Sequence, residues 1–182
     1  MLPTTGHKPA ASATLFRYVS LDSNKNMNEV SVYERSMRLA SFAMWTLNLQ
    51  LRRLRNNEPE DKVFIKRRIA DFQFYLLALT KLRNSGKLMS EIKSIEPIIT
   101  PGVKAFDDKL PFLTTMRNVD QHFDEYALNK GHKKGVENTM LEVITIENEK
   151  WTWLDYEINL QSAYEAASDF YKLMNEVGIH IP

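Results

Sequence analysis

One short segment of the chain combines side chains that can do chemistry on a phosphate. It runs from Met116 to Tyr126 and reads MRNVDQHFDEY, with four residues between its arginine and its histidine. An arginine stabilises negative charge on a phosphate, and a histidine can take up and release protons near neutral pH. Arg117, His122 and the intervening Asn118 are therefore the candidate catalytic residues.

The spacing of these residues limits what a single helix can do with them. Each residue of an α-helix advances by about 100°, so Asn118, His122 and Tyr126 lie nearly in a row. Arg117 precedes His122 by five positions, which places it roughly 140° away around a straight helix. Two copies of the helix meeting across a twofold axis would bring both residues of each copy into one cleft. The geometry therefore predicts that activity needs a homodimer.

The arginine, the polar residue after it and the histidine resemble the Arg-x4-6-His motif of the HEPN superfamily. The resemblance extends over the predicted helices from roughly Asn28 to Leu128. HEPN domains are helical bundles, many of them dimeric, and include metal-independent ribonucleases used as toxins and antiviral effectors. The resemblance implies a metal-independent endoribonuclease in which the ribose 2′-hydroxyl is the nucleophile. It also implies a toxin or phage-defence role, with RNA as substrate and an antitoxin protein as partner.

Basic residues follow the motif and extend the candidate site. The loop Asn129–Gly135 contains two glycines and the lysines Lys130, Lys133 and Lys134. We expect these lysines, together with Tyr126, to contact the backbone of a bound RNA. The alternative is a flexible loop whose charges serve only solubility.

A purely structural role for the motif is also open. Arg117 could pair with a polar neighbour on a solvated helix face, while His122 lies at the boundary of the core. The candidate neighbours are Asp120, Gln121 and Asp124. The protein would then be a non-catalytic HEPN-like or unrelated bundle that binds a nucleotide or a protein partner.

The sequence indicates neither a metal site nor a cofactor. Asp120 and Asp124 each stand two residues from His122, which is not the spacing of ligands on one helical face. The chain also contains no glycine-rich phosphate loop. A second basic cluster flanks the first predicted interhelical turn and either binds phosphate or forms solvated helix faces. Its members are Arg52, Arg53, Arg55, Lys66, Arg67 and Arg68.

Composition narrows the class of protein. A length of 182 residues, with 43% hydrophobic and 26% charged residues, is ordinary for one globular domain. The 24 basic and 23 acidic residues give a net charge of +1, which argues against nucleic-acid binding by bulk electrostatics. Cysteine is missing from the sequence, which rules out disulfides and a thiolate nucleophile. Since no signal peptide or membrane-length apolar run is recognisable, we expect no membrane partner and a cytoplasmic location.

Apolar residues recur at intervals of three and four along most of the chain, the period of an amphipathic helix. The predicted helices run from Asn28 to a break at Asn56, Glu60 to Asn84 with a Ser85-Gly86 cap, Leu88 to Ile95, Pro101 (capped by Thr100) to a break near Pro111, Pro111 to Leu128, and Leu160 to Val177. The fold class that follows is mainly α, an antiparallel helical bundle of four to five helices.

The remaining segments predict a little β-structure and an extended tail. Met140 to Ile146 and Lys150 to Ile158 are rich in β-branched and aromatic residues, which indicates a β-hairpin at 140–158 before the C-terminal helix. Residues 1–27 read as an N-terminal tail with a short strand at Leu15 to Leu21. The helical bundle, including the hairpin, then forms one domain over 28–182.

Overall fold

The computed structural model describes residues 29–56, 58, 66–147 and 149–181. Its helices are α1 (Glu29–Arg55), α2 (Arg67–Met89), α3 (Glu96–Lys109), α4 (Leu113–Gln121), α5 (Phe123–Ala127) and α6 (Leu160–Glu176). Its strands are β1 (Ile144–Glu147), β2 (Lys150–Trp153) and β3 (Tyr156–Asn159), and short 3₁₀ helices cover Asn138–Met140 and Val177–His180. The predicted tail, its strand, and the predicted helix starts at Asn28 and Glu60 lie outside the described residues.

Neighbouring helices of the bundle run antiparallel. Near the end of α1, Arg53 Nε donates to Oδ1 of Asp71 at 2.8 Å, close to the start of α2. Eleven residues earlier, Phe42 has the ammonium of Lys81 over its ring, 5.6 Å from the centroid. The later residue of α1 contacts the earlier residue of α2, and the earlier residue of α1 contacts the later residue of α2. The two helices therefore run antiparallel. The apolar residues between these contacts line the core.

Helix α6 closes the bundle against α1 and α3. Its N-terminus is capped by Asn159, whose side-chain oxygen accepts from the backbone nitrogen of Ser162. On its core side Phe170 stacks on Phe106 of α3 with ring centroids 5.0 Å apart. The fold class is therefore confirmed as mainly helical, with a small sheet before the C-terminal helix.

The predicted end of the second helix at Ser85-Gly86 is wrong. Helix α2 continues through Gly86 to Met89, because the glycine serves a close approach between helices rather than a cap. A Cβ at position 86 would lie 2.3 Å from Cζ of Phe170. The missing side chain therefore lets the α6 aromatic ring pack directly on the α2 backbone.

The next two boundaries also differ from expectation. The first two residues of the predicted helix Leu88–Ile95 complete α2, and the others form turns. Helix α3 begins at Glu96, with Pro97 in its first turn, where a missing N–H costs no hydrogen bond. Thr100 and Pro101 therefore lie inside the helix and do not cap it. The predicted break near Pro111 is confirmed, since α3 ends at Lys109.

The predicted hairpin is a three-stranded antiparallel sheet in the order β1-β2-β3. The residues predicted as one long second strand fold back at Leu154 and Asp155, whose φ angles are 52° and 60°. Two successive positive φ angles give the turn that matches the twist of a hairpin. Trp151 and Trp153 face the core. Among the described helices, none has the length and apolar composition to cross a membrane.

Candidate functional site

The motif lies at a break between two helices. The helix predicted from Pro111 to Leu128 is in fact two, because His122 has φ −118° and ψ 35° and separates α4 from α5. Met116 and Val119 are fully buried and seat α4 against α2. This anchoring places Arg117 and Asn118 at the edge of the α2–α4 contact, where both are half-buried.

Arg117 and Asn118 line a polar groove between α4 and α2. The groove has a volume of about 260 Å³, and Nη1 of Arg117 donates to Oδ1 of Asn118 at 2.9 Å. Helix α2 contributes Thr80, Arg83, Asn84 and Lys87 to its walls, and α4 adds Leu113 and Thr114. The groove therefore joins the first two motif residues to a second helix that the motif does not include.

The charge in this groove is positive. Asp107 binds Arg83 with both carboxylate oxygens, which neutralises that guanidinium and raises its pKa. Within the described part of the chain, neither Arg117 nor Lys87 has a carboxylate partner. Nε of Arg117 is buried and has no hydrogen-bond partner there, so the guanidinium keeps unused donors. Two unneutralised cations at one groove are suited to binding a phosphate.

His122 belongs to a different cluster. Its side chain is 51% exposed, and Nδ1 lies 3.3 Å from Oε1 of Glu125. The other carboxylate oxygen of Glu125 lies 3.8 Å from Nε2 of His132, which the loop after α5 carries. A carboxylate near one ring nitrogen favours one orientation of an imidazole and leaves the other nitrogen open to exchange protons. This arrangement is compatible with proton transfer by His122.

The structure does not join the two halves of the motif within one chain. Arg117 hydrogen-bonds Asn118, and His122 contacts Glu125. The alternative in which Arg117 pairs with Asp120 is not formed either, and Asp120 instead accepts a hydrogen bond from Gln73 at 3.0 Å. The motif therefore forms two separate half-sites, a cationic groove and a histidine–carboxylate pair.

Tyr126 and Lys133 hold the loop instead of lining the groove. Tyr126 is buried, and its hydroxyl accepts a hydrogen bond from the backbone nitrogen of Lys133 at 3.2 Å. The Lys133 ammonium donates to the hydroxyl of Thr115 and lies 5.9 Å from the ring centroid of Tyr156. A Cβ on Gly131 would meet the Tyr126 ring at 2.3 Å, so the loop backbone packs directly on it. We therefore assign these two residues to loop anchoring.

The other predicted cations have contrasting surroundings. Lys130 and Lys134 are exposed on the anchored loop. In the interhelical cluster, Arg53 and Arg67 both bind the buried carboxylate of Asp71. Arg55 is bound by Glu149 at 2.8 Å, and Arg68 lies over the ring of Trp151. The interhelical arginines therefore tie helices and sheet together, while the loop lysines remain open to solvent.

The α2 residues of the groove were missed by the sequence reasoning. Thr80, Asn84 and Lys87 follow one another at intervals of four and three residues, so they form a polar stripe on one side of a helix. That stripe was visible in the sequence, but which helix it faces depends on tertiary packing. Comparisons with protein-family models, with curated proteins and with solved structures each found no match. The site must therefore be interpreted from its own geometry.

Proposed function

We propose that this protein is a metal-independent endoribonuclease of the HEPN type. The observation that carries the proposal is the geometry of the motif: Arg117 lines a cationic groove, and His122 stands exposed against a carboxylate. A groove with unneutralised cations suits a phosphodiester, and a histidine oriented by Glu125 suits proton transfer. RNA is the substrate class because its 2′-hydroxyl supplies an internal nucleophile.

Each residue has a role in the proposed reaction. Nε2 of His122 takes the proton of the ribose 2′-hydroxyl, and the 2′-oxygen attacks the adjacent phosphorus. The bond from phosphorus to the 5′-oxygen breaks, and that oxygen leaves with a proton from solvent. Arg117 and Lys87 stabilise the charge that develops on the phosphate oxygens. The products are a 2′,3′-cyclic phosphate and a 5′-hydroxyl end.

The proposed reaction needs Arg117 and His122 at one phosphate, and one chain holds them in separate half-sites. We therefore include a homodimer in the proposed function, with each active site built from both copies. The exposed lysines Lys130 and Lys134 lie on the loop beside His122 and are assigned to the RNA backbone. Asn118 positions the Arg117 guanidinium through its hydrogen bond.

The direct test is cleavage of a single-stranded RNA in EDTA by wild type, Arg117→Ala and His122→Ala. We expect cleavage by wild type and a loss of about 100-fold or more in each variant. A substrate with a 2′-deoxyribose at the cleaved position should be inert. The matched control is the exposed residue His180, whose alanine variant should retain wild-type activity. Circular dichroism must show that every variant is folded.

A second candidate is a non-catalytic module that binds a nucleotide or a protein. The separation of Arg117 from His122 within one chain favours it. An RNA that is never cleaved by the pure protein, or is cleaved equally by both motif variants, would reject the ribonuclease and leave this candidate. Equilibrium binding of a mononucleotide, weakened by Arg117→Ala, would then identify the groove as its site.

A further inference from the structure

The most unusual feature of the surface is an exposed apolar face formed by α1 and α2. Six large apolar side chains are exposed there, and Trp45 and Phe42 show 75% and 57% of their surface to solvent. The members of this α1–α2 face are Leu39, Phe42, Trp45, Leu49, Phe74 and Leu77. Burying such residues in a partner stabilises a complex, whereas leaving them in water carries a free-energy cost.

The size of the face matches one side of a stable dimer. Given their exposed fractions, these side chains present roughly 600–700 Å² of mostly apolar surface. The largest apolar patch on a typical monomer is about 300–600 Å², and a standard interface buries about 800 Å² on each partner. The polar rim around the α1–α2 face supplies the remainder. Together with its rim, the face is thus large enough to hold a second folded chain.

We infer that the α1–α2 face binds a second copy of this chain and forms a homodimer. On α1 the residues Phe42, Trp45 and Leu49 follow at intervals of three and four, the spacing with which one helix packs on another. The face contains both aromatic rings and leucines, so the same patch rotated by a twofold axis offers complementary shapes. Lys81 lies over the ring of Phe42, so this cation contacts the face through an aromatic ring.

The α1–α2 face also continues into the groove of the proposed active site. Leu77 of the face and Asn84 of the groove are seven residues apart on α2, which is close to two turns, so they share one side of that helix. Gln73, which precedes Phe74, donates to Asp120 of α4 at 3.0 Å and fixes α4 alongside. A second copy on this face therefore brings the grooves of both protomers to one interface.

This placement deepens the proposed function, since it explains how two half-sites combine. A twofold axis through the α1–α2 face relates two grooves and two histidines. In the composite site that we propose, Arg117 of one protomer meets His122 of the other. The dimer itself rests only on the exposed apolar face and stands whether or not RNA is cleaved. The composite site rests on the proposed function as well.

The test is the molar mass of the full chain in solution, measured by light scattering or sedimentation equilibrium over a concentration series. Wild type should have twice the chain mass. Trp45→Glu and Phe74→Glu introduce a charge on different helices of the face and should raise the dissociation constant on the order of 30-fold or more. The control is Leu128→Glu, a residue 66% exposed outside the face, which should leave the dimer intact.

A second measurement does not depend on disruptive variants. Trp45 is exposed, whereas Trp151 and Trp153 are buried, so Trp45 alone should report on dimer formation by its emission. Dilution should shift wild-type emission to longer wavelength, and Trp45→Phe should remove the shift. A wild type that stays monomeric up to the high-micromolar range overturns the inference and points to another occupant, residues 1–28 or a different protein. A dimer that persists in both glutamate variants overturns it too, because its interface then lies elsewhere.

Discussion

Helix α1 is apolar on two opposite sides, and the structure treats the two sides differently. The inner side packs into the bundle, and its buried residues include Ala40, Ala43, Leu47, Leu51 and Leu54. The outer side has no cover from the described residues, and its exposed residues are Leu39, Phe42, Trp45 and Leu49. The inner side contains alanines that allow close helix contact, while the outer side contains the larger rings. A helix with two apolar sides is expected to be buried on both, so the exposed outer side is where the proposed second copy would bind.

The largest difference in the free energy of unfolding is expected between two nearby leucines that lie on opposite sides of α1. Leu47→Ala removes a fully buried side chain and should lower the free energy of unfolding by about 2–5 kcal/mol. Leu49→Ala, on the outer side, should change it by about 0.5 kcal/mol or less when the protein is dilute enough to be monomeric. Urea denaturation followed by circular dichroism measures both. Equal losses would show that the outer side is also part of the monomer core.

A smaller loss is expected on the inner side of α2. Gly86→Ala places a methyl group against the Phe170 ring, which is buried and stacked on Phe106. Overpacking should outweigh the gain in helix propensity and leave a net loss of about 1–2 kcal/mol. Asn84→Ala, exposed one half-turn earlier, is the matched control and should be near neutral. A stabilised Gly86→Ala would mean that α6 packs further from α2 than the structure shows.

The smallest effect concerns Asp120, at the outer edge of the α2–α4 contact. Partial burial raises the pKa of this carboxyl, and the hydrogen bond from Gln73 offsets part of that rise. Folding thus favours the neutral form, and the associated stability is lost as pH rises through the raised pKa. Asp120→Asn should therefore be more stable than wild type at pH 7, by roughly 0.5 kcal/mol or less because solvent screens the charge. The difference should vanish below the ordinary carboxyl pKa of about 3.9, and a gap that persists there would contradict this account.

Sequence periodicity predicted best those elements whose boundaries do not depend on contacts with distant residues. The apolar spacing in α1 and α6 predicted the bounds of both helices to within one or two residues. The break near Pro111 was predicted because proline has no backbone N–H to donate. Gly86 was taken for a helix cap because the residue that requires a glycine there is Phe170, eighty-four positions later, whose ring packs on the Gly86 backbone. The turn at Leu154 and Asp155 was missed because a leucine rarely adopts positive φ and because this aspartate is not followed by glycine, as it is in the common hairpin signal.

The candidate site was predictable only in part, for a similar reason. The residues Arg117, Asn118 and His122 were identified from their types and spacing, and ideal helical geometry already separated the arginine from the histidine. The break at His122 and its contact with Glu125 depend on local backbone geometry that no periodicity reports. Lys87 lines the groove only because α4 packs on α2, and sequence periodicity does not report which helices pack together.

The claim that ties these observations together is that each active site uses Arg117 of one protomer and His122 of the other. Given RNA cleavage by wild type, the most direct measurement mixes Arg117→Ala with His122→Ala, each inactive alone, after dissociating and reassociating their dimers. A mixed dimer has one intact site and one doubly damaged site, so random mixing should restore about one quarter of wild-type cleavage. If mixed dimers form but cleave no faster than either variant alone, the two residues act within one chain or not at all, and the shared site is wrong.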